Sequence, residues 1–222
     1  MKREIIITSD GSTTIHLPDW DEHYHSKHGA IQEAYHVFIK NGLEAVSKSN
    51  ISILEIGFGT GLNAFITCIE AKKNNRSINY VGVEAYPIEQ EEVVKLNYVS
   101  ELNALGFDHI FQQIHSNSWE ENHVISKNFN LQKKQQFFHE IDDENQYDLI
   151  YFDAFGARVQ PGLWTEEIFA KMFEALQEGG VLVTYSAKGS VRRAMQAVGL
   201  VVERLPGPPG KREMLRGTKH SA

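Results

Sequence analysis

The sequence predicts an α/β domain, a mostly parallel sheet with helices on both faces, preceded by a small β-hairpin and helix. Three observations predict it. Apolar, β-branched runs alternate with helical stretches from residue 51 onward. The run Ile51–Ile56 ends in Gly57, Gly59 and Gly61, and a helix-forming segment follows at once, which reads as strand, tight turn, helix. A second apolar run, Tyr147–Phe152, ends in an acid, Asp153.

In chain order, Glu4–Thr8 and Thr13–Leu17 are β-branched runs separated by Ser9-Asp10-Gly11-Ser12, a hairpin signature. Apolar residues at Ile31, Ala34, Tyr35, Phe38 and Ile39 recur at helical spacing, predicting a helix from Ala30 to Leu43 closed by Gly42. Residues 1–45 are read as an extension and 46–222 as the main domain. Strand 51–56, helix 61–73 and strand 78–84 follow, then a helix over 88–103. His109–Ile114 suits strand or helix, Ser118–His123 a loop or helix end, and Asn128–Glu140 strand 3 or its neighbour. After strand 147–153 come a helix over 164–176 ended by Gly179-Gly180, strand 181–186, a helix near 189–198 and strand 200–205. The rigid Pro206–Gly210 turn then lets Lys211–Leu215 return as an antiparallel seventh strand.

Composition sets limits. No apolar run approaches the roughly 18 residues of a membrane span, and no signal-peptide pattern follows Met1. The single Cys68 excludes an intrachain disulfide and a cysteine zinc site; with no membrane-span pattern, a reducing cytoplasmic setting is expected. His23, His25 and His28 find no carboxylate or thiol at metal-site spacing and read as polar loop residues. Net charge is −7, but residues 182–222 hold eight cations against two anions, so this +6 end adjoins a −13 body. A local anionic partner fits that asymmetry.

The glycine turn decides the cofactor class. A dinucleotide fingerprint needs a small residue where Leu62 stands, and no Gly-Lys-Ser/Thr follows for a P-loop. The G-x-G-x-G turn led by Glu55 looks like the turn of class I S-adenosylmethionine (SAM) methyltransferases. Glu84, ending the second strand some 20 residues on, can accept both ribose hydroxyls of an adenosyl group in charge-assisted bonds. In a parallel sheet ligands bind outside the carboxyl ends of the strands. That rule gathers Gly57–Gly61, Glu84, Asp153, Tyr185–Lys188 and the 206–210 turn on one edge.

The motifs together resemble the methyltransferase domain of the MnmC family, which modifies the tRNA wobble uridine. The matching segments are Tyr24–Gly42, Glu55–Asn63 (EIGFGTGLN), Asp153–Phe169 (DAFGARVQPGLWTEEIF), Gly179–Arg193 and Pro206–Leu215 (PGPPGKREML). The resemblance implies a class I, Rossmann-like fold and methylation, by SAM, of the exocyclic amine of 5-aminomethyl(-2-thio)uridine. It also implies that a separate enzyme supplies the amine, since the oxidase half of bifunctional members is missing here. A small-molecule or protein amine is the alternative acceptor for the same cofactor site. The cofactor set it implies is Tyr24, Ser26, Glu55, Gly57, Phe58, Gly59, Thr60, Gly61, Asn63, Glu84, Asp153, Ala154 and Phe155.

Asp153 is the expected catalytic residue, orienting the amine's N–H bonds and stabilising the cationic product while water takes the proton. Phe155, Trp164 and Tyr185 are candidates to wall a flipped base. Lys188, Arg192, Arg193, Lys211 and Arg212 are candidates for contacts to phosphates of the tRNA anticodon region, although adjacent Arg192 and Arg193 cannot both face it. Two departures from the family stand out. Gly156-Ala157-Arg158 replaces Ala/Ser-Pro in the acceptor loop, and no acid falls near Gln135–Phe138, which leaves adenine to apolar packing or to Ser118 and Trp119.

Overall fold

The computed structural model describes residues 2–220; Met1 and residues 221–222, the outer ends of the two expected segments, lie outside the described residues. Strands β1 (Glu4–Ile7) and β2 (Thr13–Leu17) form the expected antiparallel hairpin, with Glu4 opposite His16 and Ile7 opposite Thr13. A short β3 (Glu22–His23) adds a third strand. Helix α1 (Ala30–Ala34) widens into a π-helical turn over Tyr35–Lys40, where an unbroken α-helix was expected.

The main sheet runs through β4 (Asn50–Ile56), β5 (Ser77–Val83), β6 (Asn122–Ser126), β7 (Phe129–Lys134), β8 (Tyr147–Phe152), β9 (Leu176–Thr184), β10 (Val201–Pro206) and β11 (Glu213–Thr218). Its spatial order is β10-β11-β9-β8-β4-β5-β7-β6. The five strands from β9 to β7 are mutually parallel, while β11 is antiparallel to both its neighbours and β6 to β7. Helices α2 (Leu62–Lys73), α3 (Gln90–Val93), α4 (Tyr98–Glu101) and α5 (Asp108–Ser116) precede β6, and α6 (Glu166–Ala175) and α7 (Gly189–Ala197) flank β9. Residues of α2 and α5 pack with Ile51 and Ile53 in one core, and those of α6 and α7 with Leu54 and Ile56 in the other. Alternate β4 side chains thus enter opposite cores, as two-sided burial requires. No helix among the described residues is long and apolar enough to cross a membrane.

Three expectations need correction. The sheet has eight strands rather than seven among the described residues, because residues 122–126 fold back onto the edge of β7. The helix expected over 88–103 is broken into α3 and α4. Asn97, at the break, is engaged by the hairpin: its Oδ1 accepts from Thr13 N at 2.7 Å, its Nδ2 donates to Gly11 O at 2.9 Å and its N donates to Thr13 Oγ1 at 3.1 Å. Gly179 and Gly180 do not end α6; they lie inside β9, where the pairing to β8 shifts register between Tyr147 and Leu149.

Candidate active site

Strand β4 pairs with β5 on one side and β8 on the other, so the connections leave its carboxyl end in opposite directions. That crevice is where an α/β sheet binds ligands. The turn after β4 is left-handed at Gly57 (φ 90°), Gly59 (φ 49°) and Gly61 (φ 69°). A side chain at Gly57 would place Cβ 2.7 Å from Asp153 O, and one at Gly59 would place it 3.1 Å from the Tyr24 ring. The N–H groups of Gly57 and Phe58 both donate to Val83 O at 3.0 Å, tying the turn to the end of β5.

The crevice opens into a cleft of about 1110 Å³. Gly57, Gly59, Glu84, Tyr24, Asp153, Ala154 and Phe155 line it. Glu84 is oriented by two backbone donors, Gly59 N at 3.1 Å and Tyr86 N at 3.0 Å. Across the cleft mouth Arg3, from the residues just before β1, donates to Tyr86 O at 2.8 Å and Glu92 at 2.9 Å. Tyr86 and Phe137 present exposed rings 6.0 Å apart, edge to face.

Asp153 sits at the cleft floor. Burial raises its carboxyl to about 7, and the Glu33 charge pushes the same way; a hydrogen bond from Asn63 and the Lys211 charge oppose them. Asn63 Nδ2 donates to Asp153 at 2.9 Å and to Glu55 at 2.8 Å, bridging the two carboxyls. Glu55 is fully enclosed and also accepts from Tyr80 OH at 2.8 Å. Burial pushes its carboxyl well above the ordinary range despite these two donors. Behind the Asp153 loop, Tyr185 OH donates to Ala154 O at 2.8 Å and Trp164 Nε1 to Phe155 O at 2.7 Å.

Residues 110–220, half of the chain, match a family described as S-adenosyl-L-methionine-dependent methyltransferase. The chain belongs to this family. It is a SAM-dependent methyltransferase. It is also similar to proteins named tRNA 5-methylaminomethyl-2-thiouridine biosynthesis bifunctional protein MnmC. The one from Aromatoleum aromaticum is 31% identical, with 87% of this chain and 32% of that protein aligned. The one from Cupriavidus metallidurans is 29% identical, with 95% and 33% aligned. The chain therefore spans about a third of the length of these relatives. In fold it is similar to MnmC2 from Aquifex aeolicus, with a TM-score of 0.78 at 23% identity, covering 100% of this chain and 71% of that one. Spermidine synthase from Thermotoga maritima shares the fold at a TM-score of 0.53 and 15% identity, over 97% of this chain and 72% of that one.

The methyltransferase's expected residues divide into three groups. The cleft residues named above are brought together. Glu55, Phe58, Thr60, Gly61 and Asn63 stand behind the cleft surface. Phe58 fills the space that a Gly82 side chain would occupy, its Cδ2 lying 2.2 Å from that Cβ position, and Thr60 accepts from Tyr98 OH at 3.0 Å. Ser26 is likewise off the cleft, its N–H donating to Glu33 at 3.0 Å. In the third group several side chains are engaged elsewhere. Trp164 is 5% exposed and packs on Phe152 and Tyr185, so Trp164 and Tyr185 support the loop from behind instead of walling the cleft. Lys211 pairs with Glu33 and lies 3.8 Å from the Tyr185 ring centroid. Arg192 has an enclosed Nε, whereas Lys188, Arg193 and Arg212 are exposed. Ser118 bonds Glu121 and His123, and Trp119 packs on Phe58, so neither reaches the cleft.

Sequence reasoning missed Arg3, Trp20, Tyr86 and Phe137, all on the cleft. An aromatic residue in a polar stretch, such as Trp20 in Asp19-Trp20-Asp21, was the available signal.

Proposed function

We propose that this methyltransferase methylates the exocyclic amine of 5-aminomethyl(-2-thio)uridine at the tRNA wobble position. The observation that carries the reading is Asp153: a carboxyl held near 7 at the floor of the cleft that the glycine turn and Glu84 also line. The names of the MnmC relatives supply the acceptor. Residues 1–45 act as an extension of a 46–222 catalytic domain, a separate enzyme makes the aminomethyl group, and the protein works in the cytoplasm.

The cleft fits an adenosyl cofactor. The turn at Gly57 and Gly59 keeps Cβ atoms out of it, and Glu84, held by two backbone donors, offers its carboxylate to ribose hydroxyls. Tyr86 and Phe137 supply apolar faces for adenine. Glu55 and Asn63 act from below by fixing Asp153. SAM supplies a methyl group already activated on sulfonium. The protein's task is alignment, which can lower a barrier by roughly 7–11 kcal/mol. An ordinary carboxylate lies about six units below an alkyl amine; at about 7, half that gap closes. Asp153 therefore serves as the base that takes a proton from the amine, a stronger role than orientation alone. Lys188, Arg193 and Arg212, which are exposed, are the cations offered for phosphate contacts.

The test is incubation with labelled SAM and tRNA bearing the unmethylated amine, followed by nucleoside analysis. Label in the wobble uridine is expected. Asp153→Ala should keep SAM binding and lose at least a hundredfold in turnover, the scale of a general base. Label absent from uridine but present in a protein or small amine would overturn the acceptor assignment.

A further inference from the structure

We propose that Trp20 is the stacking wall for the acceptor's pyrimidine ring, and that Arg158 is the positioning residue that holds it there. This rests on the tRNA-base reading above.

Trp20 lies on the turn between β2 and β3, in the extension rather than in the catalytic domain, and its ring lines the cleft. It meets Phe155 edge to face at 6.0 Å, and Phe155 in turn meets Tyr24 at 5.0 Å. Tyr24 covers Gly59, and Phe155 follows Asp153 by two residues. The three rings thus extend from the glycine turn past the reacting carboxyl to the cleft mouth. Two of the three aromatics expected to wall a base are Trp164 and Tyr185, and both are used up behind the loop. Trp20 takes the vacated role, a partly exposed flat surface of the kind an extruded base stacks on.

A tryptophan on a tight turn needs something to hold it. Trp20 N–H donates to Leu17 O at 3.1 Å, and Asp21 is left-handed with φ 49°. Arg158 then reaches over from the loop after β8. One guanidinium nitrogen, Nη2, lies 2.9 Å from Trp20 O, 2.9 Å from Asp21 O and 3.0 Å from Glu22 Oε1. The loop that presents Asp153 therefore also clamps the turn that presents Trp20. This gives Arg158 a role: its side chain fixes the two walls of the acceptor mouth to each other.

The experiment uses an anticodon stem-loop RNA carrying 5-aminomethyluridine at the wobble position. Trp20→Ala should raise KM for the RNA about tenfold or more, the scale of one base–aromatic stack, with SAM affinity within about twofold. Trp20→Phe should recover most of the loss. Arg158→Ala should raise KM in the same direction with an unchanged salt slope, since it removes a clamp and not a phosphate contact. A shallower slope in Arg158→Ala would assign it to phosphate and overturn the clamp. An unchanged KM in Trp20→Ala would overturn the stacking role. Tryptophan fluorescence on adding the RNA without SAM reads stacking independently of turnover. Quenching lost in Trp20→Phe supports the wall even if no methyl is transferred, whereas quenching that persists, or none in the wild type, overturns it. A wild type that quenches but never methylates uridine would sink the functional reading alone.

Discussion

Asn63 has two hydrogens on one amide nitrogen, and each is given to a different carboxyl, Glu55 and Asp153. The bridge holds two raised acids at a fixed distance from the glycine turn, and it couples their titration. Asp153 makes the consequence measurable. Its carboxyl stands at about 7 in the folded protein against an ordinary 3.8, so between these values the native state holds the proton more tightly than the unfolded chain. Stability must therefore fall as pH rises from about 4 to about 7 and level off above it. Asp153→Asn cannot ionise and should remove that decline. We expect it to be more stable than wild type by ~1–2 kcal/mol at pH 7.5, after allowance for solvent at the cleft edge, and close to wild type at pH 4. Urea unfolding at those two pH values checks this; equal stability gaps at both would contradict the raised carboxyl.

The glycine turn sets Asp153's position at the level of the element. Gly57 combines φ 90° with a Cβ direction 2.7 Å from Asp153 O, so Gly57→Ala suffers both backbone strain and a clash with the loop that presents the base. We expect Gly57→Ala to lose ~2 kcal/mol of stability and at least tenfold in both SAM affinity and turnover. Gly162→Ala, in open space, should change neither. Calorimetry with SAM and unfolding curves separate the two. This turn was legible in the sequence because its cause is local: β4 and β8 are buried on both faces and read as apolar runs, and three glycines at a spacing of two suit the left-handed turn. The break at Asn97 was not legible, since the side chain there is engaged by Thr13 and Gly11, 84 and 86 residues away in the chain. The same holds for the site. Gly57, Glu84 and Asp153 end predictable strands, but Arg3 and Trp20 reach the cleft only because the extension packs over it.

Across the whole molecule, charge along the sequence and charge on the surface differ. The eight cations of the +6 segment suggested a broad basic rim, yet five of them are paired or enclosed. Lys219 is buried, with its Nζ at 2.8 Å from both Phe173 O and Leu176 O. Arg216 pairs with Glu203 at 3.0 Å, Arg204 with Glu213 at 3.7 Å, and Lys211 with Glu33. Among the described residues, Lys188, Arg193 and Arg212 remain exposed and outside the ion pairs formed. A polyanion would meet three cations, not eight, and each phosphate neutralised adds about 0.7–0.9 to the slope of log K against log salt. Binding of the substrate RNA should therefore weaken with salt at a slope of about −2 to −3. Arg212→Ala should reduce that slope by about one and weaken binding alike for all RNA sequences. Lys211→Ala should leave the slope unchanged and instead cost about 2 kcal/mol of stability, because it strands the buried Glu33 carboxylate. Filter binding at several salt concentrations, with unfolding curves for both variants, distinguishes a cation that faces the ligand from one that holds the site together. A slope change in Lys211→Ala would show that the ion pair opens to the RNA.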